Sequence, residues 1–359
     1  MKYPDDVPIL TDGVVTLRAH TEADITRMHE MACDPLTLKW TTVPEDYSIA
    51  GANDHLRAIA QGWEEKHHRG WAIEYDGKFV GNLDIRGEVT PDIGYALHPD
   101  SRGKSLMVRA IEIAVQRVFT EDGVQALHWA CNVGNEASLR VAHRAGFTLI
   151  STVPQFLNHR GVATDAWIAV RKFGDHPQPK TIWRDAPMLE EETVRLRPFR
   201  LEDAQLIYEA CSDPVTTKWL PFLKGYQLKD AYEFLNQSIW DAATGEKISW
   251  AITQPGSDDL MGHVVLKDMN SPGPPSGEVG YWMHPDSRGK GLMTQAVELV
   301  VNYARDSLNL TRVTLWAAPE NKASNRVAMK VGFQQIGVEH RAAYLGDGSE
   351  TDLNAFEIV

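Results

Sequence analysis

Apolar residues recur at helical spacing in two places that resemble each other. Leu292, Ala296, Val297, Val300, Val301 and Ala304 fall on one face of a helix, and Leu106, Ala110, Ile111, Ala114, Val115 and Val118 repeat that face. Around the later copy the pattern predicts a strand over 193–196, helices over 201–210 and 232–240, and strands over 249–253, 260–267 and 278–283. Pro285 stops the last of these, and a glycine-bearing loop over 286–291 leads into the helix. A strand over 313–316 and a short helix over 323–330, closed by Gly332, follow. Two final strands, 334–338 and 352–359, flank Gly346-Asp347-Gly348. Each copy therefore reads as a mixed α/β sheet with helices on both faces.

The likeness extends well beyond one helix. Leu17-Arg18, Asp34-Pro35 and Lys39-Trp40 recur as Leu196-Arg197, Asp213-Pro214 and Lys218-Trp219, each 179 positions on. His98 to Lys104 (HPDSRGK) recurs identically at His284 to Lys290, and Asn135, Ser138 and Gly146-Phe147 recur at Asn321, Ser324 and Gly332-Phe333, all 186 positions on. The seven extra residues are expected mostly in the Gly/Pro-rich stretch 271–277. The period is far longer than a solenoid repeat, so each copy must bury its own core. The expected organisation is a first domain over 1–174, a polar, proline-bearing linker over 175–192, and a second domain over 193–359.

The 359 residues suit two ordinary domains. A net charge of -13 argues against a nucleic-acid or anionic-membrane surface, and is at most weakly in favour of an amine-bearing ligand. Three scattered cysteines, Cys33, Cys131 and Cys211, support neither a disulfide framework nor a zinc site, and no metal is expected. The first ten residues lack the apolar core of a secretory leader and no apolar run reaches membrane-spanning length, so a soluble, cytoplasmic protein is expected.

The most suggestive chemistry lies in Arg288-Gly289-Lys290-Gly291-Leu292-Met293, between a strand and a helix. Free N–H groups and the helix dipole favour an anion there, and glycines admit it close to the backbone. The stretch is either a pyrophosphate cradle or an ordinary glycine-rich turn with solvated basic residues. It is neither a P-loop nor a complete dinucleotide fingerprint.

These residues resemble the GNAT acetyltransferase family, and within it the branch that acetylates ribosomal-protein and peptide N-termini. The family's loop, Q/R-x-x-G-x-G/A, is matched by Arg288 and Gly291, with Met293 in place of the last small residue. The strand Glu278 to Pro285, the late helix with Asn321 and Ser324, Gly332-Phe333, and the Leu196-Arg197…Asp203 opening resemble the branch as well. The resemblance spans nearly the whole chain, twice. It implies two GNAT-type domains, each a mixed, mostly antiparallel twisted sheet flanked by helices.

It also implies acetyl-coenzyme A as cosubstrate and direct transfer to a primary amine on a small molecule or peptide. Such a transfer needs a proton acceptor for the amine, a donor to the oxyanion, and a proton for the departing thiolate. By resemblance Glu278 is the base and Ser324 the acid. Met283, Arg288, Gly289, Lys290, Gly291, Leu292, Met293 and Asn321 line the cofactor. A structural role remains open for each: a strand anchor for Glu278, a helix-start hydrogen bond for Ser324, a cap for Asn321. The tyrosine many relatives use as acid is replaced by Ala328 and Ala142, and the branch's downstream glutamate by Ala343 and Leu157, with Glu339 and Asp352 nearby. His98 and His284 read as structural residues at strand ends. Trp40, Trp71, Trp219 and Trp250 read as core rather than ligand platforms.

Ser105 stands where the second copy has Gly291, which predicts weaker binding in the first copy and a structural or regulatory role for it. Two rival readings are a non-catalytic acyl-coenzyme A-binding protein and a transferase of longer acyl groups. The fused pair is expected to act as a monomer with an internal pseudo-dimer, or as a homodimer.

Overall fold

The computed structural model describes residues 3, 4, 6–270 and 272–359, in two compact units divided after Lys180. Ser271 of the predicted insertion lies outside the described residues.

In the first unit β1 (Leu10–Thr11) and β2 (Val15–Arg18) precede α1 (Ile25–Ala32), α2 (Pro35–Trp40) and α3 (Ile49–Glu64). Strands β3 (His68–Tyr75), β4 (Lys78–Arg86) and β5 (Asp92–Leu97) lead to α4 (Leu106–Thr120). Then come β6 (Ala126–Asn132), α5 (Glu136–Arg144), β7 (Thr148–His159) and β8 (Val162–Lys172). The sheet order is β1-β2-β3-β4-β5-β6-β8-β7, and only β5 and β6 run parallel.

The second unit repeats this plan. Its elements are β9 (Leu189–Glu190), β10 (Arg195–Arg197), α6 (Ala204–Ser212), α7 (Pro214–Trp219), α8 (Leu228–Thr244), β11 (Lys247–Thr253) and β12 (Gly262–Lys267). They continue with β13 (Ser276–Met283), α9 (Leu292–Asp306), β14 (Arg312–Ala317), α10 (Lys322–Val331), β15 (Gln334–Tyr344) and β16 (Glu350–Ile358). Its one parallel pair is β13 with β14.

The segment expected to link the domains is partly structured. Arg184 N donates to Ala242 O at 2.8 Å, Trp250 Nε1 donates to Pro187 O at 2.9 Å, and β9 pairs with β10, so residues 181–190 pack with the second unit. A two-residue strand carries no readable periodicity, and α7, with six residues, was invisible for the same reason.

Strand register fixes which residues of the two units are equivalent. The offset is 179 at His68 and Lys247, 181 at Arg86 and Lys267, and 186 at Asp92 and Glu278. Two of the extra residues therefore lie in the β11–β12 connection and five in the β12–β13 connection.

All six apolar residues of the α9 stripe are buried against the sheet, in a core with Trp250, Val264 and Leu315. Each buried valine contributes roughly 1.5–3 kcal/mol. The other sheet face packs on α6 and α8 through Ile207, Cys211, Ala231, Leu235 and Ala251. The repeated Leu-Arg…Asp signature is a buried clamp. Arg197 makes two bonds to Asp203, at 2.8 and 2.7 Å, and Arg18 grips Asp24 in the same way.

Candidate active site

Strands β13 and β14 pair only from Ser276 to Glu278, then part. The gap opens beside the start of α9. Gly289 and Gly291 hold φ of 76° and 80°, the left-handed region where glycine carries no penalty. A Cβ on Gly291 would meet nothing within 4 Å, so that face of the backbone looks onto open space. Among the described residues, no acceptor takes the amide hydrogens of Gly289, Lys290, Gly291, Leu292 or Met293. Five unpaired donors at the positive end of a 15-residue helix form an anion cradle. Lys290 is exposed and pairs with no carboxylate among the described residues.

Arg288 lines the cavity and is also a structural fastening. Its Nη2 donates to Asp213 Oδ2 at 2.6 Å and to Thr216 Oγ1 at 2.8 Å, and its Nε reaches Met283 O at 3.3 Å. Asp213 also caps α7 through the amides of Val215 and Thr216. The guanidinium thus fastens the cradle to α7. The same fastening recurs as Arg102 to Asp34, at 2.7 Å, and Thr37, at 3.0 Å. This joins two repeated motifs, Asp-Pro and His-Pro-Asp-Ser-Arg-Gly-Lys, whose partnership the sequence did not reveal.

Burial pushes the Asp213 carboxyl upward, but Arg288 and the two amides outweigh it, and the net pKa lies below the ordinary 3.8. A depressed carboxylate stabilises the fold above its unfolded pKa, and that contribution is lost as pH falls through the folded one. Asp213→Asn should therefore lower the thermal midpoint at pH 7, and the gap to the wild type should close below about pH 3.8. Differential scanning calorimetry across that range checks it; a gap independent of pH would contradict the clamp.

At the mouth of the gap Tyr281 OH lies 2.9 Å from Ser324 Oγ and 3.4 Å from Ser324 O. Burial, only partly offset by Ser324, pushes the phenol up to about 12, so it stays protonated. Asn321 caps α10, its Oδ1 accepting from Ser324 N at 3.1 Å, while its Nδ2 has no partner among the described residues. Tyr281 is the functional candidate that sequence reasoning overlooked. The signal was present, since Tyr95 and Ser138 keep the same pair at 3.3 Å in the first unit.

Glu278 sits where the strands part, on the opposite sheet face from Tyr281. It accepts from Lys267 Nζ at 2.9 Å. Burial works against the Lys267 ammonium, yet Glu278 and Asp268 hold its pKa above the ordinary value. Asp352, considered as a substitute base, already accepts from Arg341 N and His340 and is held below the ordinary value by them. Glu339 is exposed. Ala343 lines the cavity, and Ala328 is fully buried. His284 faces Glu209 at 3.5 Å, as His98 faces Glu30 at 3.2 Å, which fits strand-end anchors.

A cavity of about 1250 Å³ joins these parts. It runs from Gly289 and Met293 past Ser324 to Glu278, Lys267 and an aromatic end. There His263 is enclosed by Phe199, Phe234 and Trp282, with centroids 5.4, 5.2 and 5.6 Å away. Burial pushes its pKa down to about 3, and Nε2 has no hydrogen-bond partner.

The first unit keeps the loop geometry at a cost. Ser105 adopts φ of 58°, left-handed like Gly291. That conformation disfavours a residue with a Cβ by about 1–2 kcal/mol.

A two-faced sheet that splays beside an amide-lined helix start defines a transferase of the GNAT class. The family model described as acetyltransferase (GNAT) domain matches residues 15–148 and again 193–334. The chain belongs to that family and carries its domain twice; it is an N-acetyltransferase whose cosubstrate is acetyl-coenzyme A. An uncharacterized N-acetyltransferase of Bacillus subtilis (strain 168), YnaD, is 31% identical over 40% of this chain and 79% of its own length. The ribosomal-protein-serine acetyltransferase of Escherichia coli (strain K12) is 29% identical over 28% of this chain and 54% of its own. Among solved structures, the microcin C7 self-immunity acetyltransferase MccE, in complex with acetyl-CoA and AMP, is 23% identical. It covers 47% of this chain and 93% of its own, with a TM-score of 0.44. Among the described residues no helix is long and apolar enough to cross a membrane, and no cluster of three or more His, Cys, Asp or Glu could hold a metal.

The cradle fits the cosubstrate's diphosphate. The unpaired amides of residues 289–293 would hold it, with Lys290 adding charge and Asn321 Nδ2 free for an amide of the pantetheine arm. Bound there, acetyl-coenzyme A would supply the activated thioester.

Proposed function

We propose that the second unit transfers acetyl directly to a primary amine, on a small molecule or a peptide N-terminus, while the first is a structural or regulatory partner. The cavity is the observation that carries this reading. It runs from the amides of residues 289–293 to Glu278 on one face of β13 and to Tyr281, with Ser324 of α10 beside it, on the other. The amine enters from the α6/α8 face, where Glu278 takes its proton directly or through water, with Lys267 holding that carboxylate. The thiolate leaves on the α9 face, where Ser324, supported by Tyr281, donates a proton. Met283 N lies on the strand lining the gap and polarises the acetyl carbonyl.

A thiol-release assay across a panel of primary amines tests the reading. Steady release with at least one amine, falling roughly 10- to 100-fold in Glu278→Gln, is the expected outcome. Saturable acetyl-coenzyme A binding with no release across the panel would make the chain a binder instead.

A further inference from the structure

The aromatic end of the cavity is aligned with Glu278. On β13, Glu278, Gly280 and Trp282 alternate onto one sheet face, so Trp282 stands about 13 Å along the strand from the carboxylate. Gly280 lies between them without a side chain, and a Cβ there would press on Val265 Cγ1 at 3.3 Å. Phe222, Phe234, His263 and Tyr344 line the same cavity as Glu278 and Trp282. His263 is uncharged at neutral pH, so it adds a ring and no cation.

Two of these rings stand in contact with water. Phe222, in the turn over 221–223, is 78% exposed, and Tyr344, at the end of β15, is 61% exposed. Large apolar groups left at the rim of a cavity mark a place where something apolar binds. The first unit shows that the fold does not require them. By strand register and by the 179- and 186-residue offsets, Val43, Asn82, Ala96 and Asn158 stand where the second unit has Phe222, His263, Trp282 and Tyr344. The corresponding face of the first unit is apolar as well, but it is packed with larger groups. Met31 and Phe79 are buried there with Met28 and Ala72, where the second unit has Ala210 and Leu260.

We propose that Phe222, Phe234, Trp282 and Tyr344 select, among primary amines, those borne on a flat apolar body, so that the second unit prefers arylalkylamines to polar amines. An amine beside Glu278 on a two-carbon spacer carries its ring over Gly280 toward Trp282. The surrounding rings offer faces and edges to pack against it. The proposal rests on the reading that the second unit takes its amine at Glu278.

Phenethylamine and ethanolamine present the same ammonium group on an apolar and a polar body. With the full chain saturated with acetyl-coenzyme A, kcat/KM for phenethylamine should exceed that for ethanolamine roughly 10- to 100-fold, as burial of one ring implies. Phe222→Ser changes an exposed residue, where folding is not at stake, and should shrink that ratio about threefold to tenfold. Trp282→Ala, which installs the first unit's residue, should shrink it at least roughly tenfold. An equal or greater kcat/KM for ethanolamine would overturn the proposal while leaving transfer at Glu278 standing. So would a ratio unchanged in both variants. Calorimetry on the full chain saturated with coenzyme A separates the two readings when neither amine is acetylated. Phenethylamine binding at least tenfold tighter than ethanolamine, and weakened in Phe222→Ser, would support the aromatic site although transfer had failed; no such preference would overturn it.

Discussion

Ser324→Ala slows acetyl transfer by roughly 100-fold in kcat, with the KM for acetyl-coenzyme A changed by no more than about twofold. The expectation follows from what Ser324 touches. Its Oγ faces the cavity and is hydrogen-bonded to Tyr281 OH at 2.9 Å, while its main chain caps into Asn321. Removing the hydroxyl leaves helix, cap and cradle intact, so binding persists and the departing thiolate loses its proton source. Tyr281→Phe should cost less, roughly tenfold, because the serine keeps its hydroxyl but loses the group that orients it. The two changes should be strongly non-additive, the double variant resembling Ser324→Ala alone. Steady-state kinetics on the four proteins check this. Additive losses would mean that the two hydroxyls act separately, and an unaffected kcat in Ser324→Ala would remove the serine from the chemistry.

The second large effect concerns binding. Gly291→Val should raise the Kd for acetyl-coenzyme A on the order of 100-fold at the second unit. Two penalties combine. A β-branched residue at φ of 80° distorts the loop, and its side chain projects into the open space where the anion must approach. Losing about one amide–phosphate bond, at ~1.5–3 kcal/mol, together with the loop distortion accounts for a factor of that size. Gly291→Ser should be far milder, since Ser105 already holds the left-handed conformation in the first unit. Ser105→Val should leave transfer within about twofold if the second unit carries the chemistry. Calorimetric titration and thiol release on the full chain separate these cases.

Much of this architecture was readable in the residues. The stripe from Leu292 to Ala304 announced α9, and the internal repeat announced two domains, because long periodic signals survive without tertiary information. Short elements did not survive. β9 and α7 are too short to show a period: the chain before β9 is held at Pro187 by Trp250, and α7 starts on a local cap, Asp213 followed by Pro214, that Arg288 fastens from 75 positions away. The long strand β15 reaches Tyr344 only through irregular pairing between Glu339 and Ala343, and irregular pairing blurs alternation.

The site was legible as a list of residues but not as partnerships. Arg288 was singled out for its charge without Asp213, its partner 75 positions away. Tyr281 passed as a strand residue because only folding brings it to Ser324, 43 positions on. Glu278 was singled out without Lys267, its cross-strand neighbour. The aromatic enclosure of His263 is assembled from an early turn, α8 and two strands, and no linear pattern could announce it.

Amide hydrogen exchange on the full chain, with and without coenzyme A, reaches the core of the account. Among the described residues nothing accepts from the amides of 289–293, so they should exchange freely alone and slow markedly when the diphosphate is bound. If the ligand binds and those five amides exchange at an unchanged rate, the cradle is not where it sits.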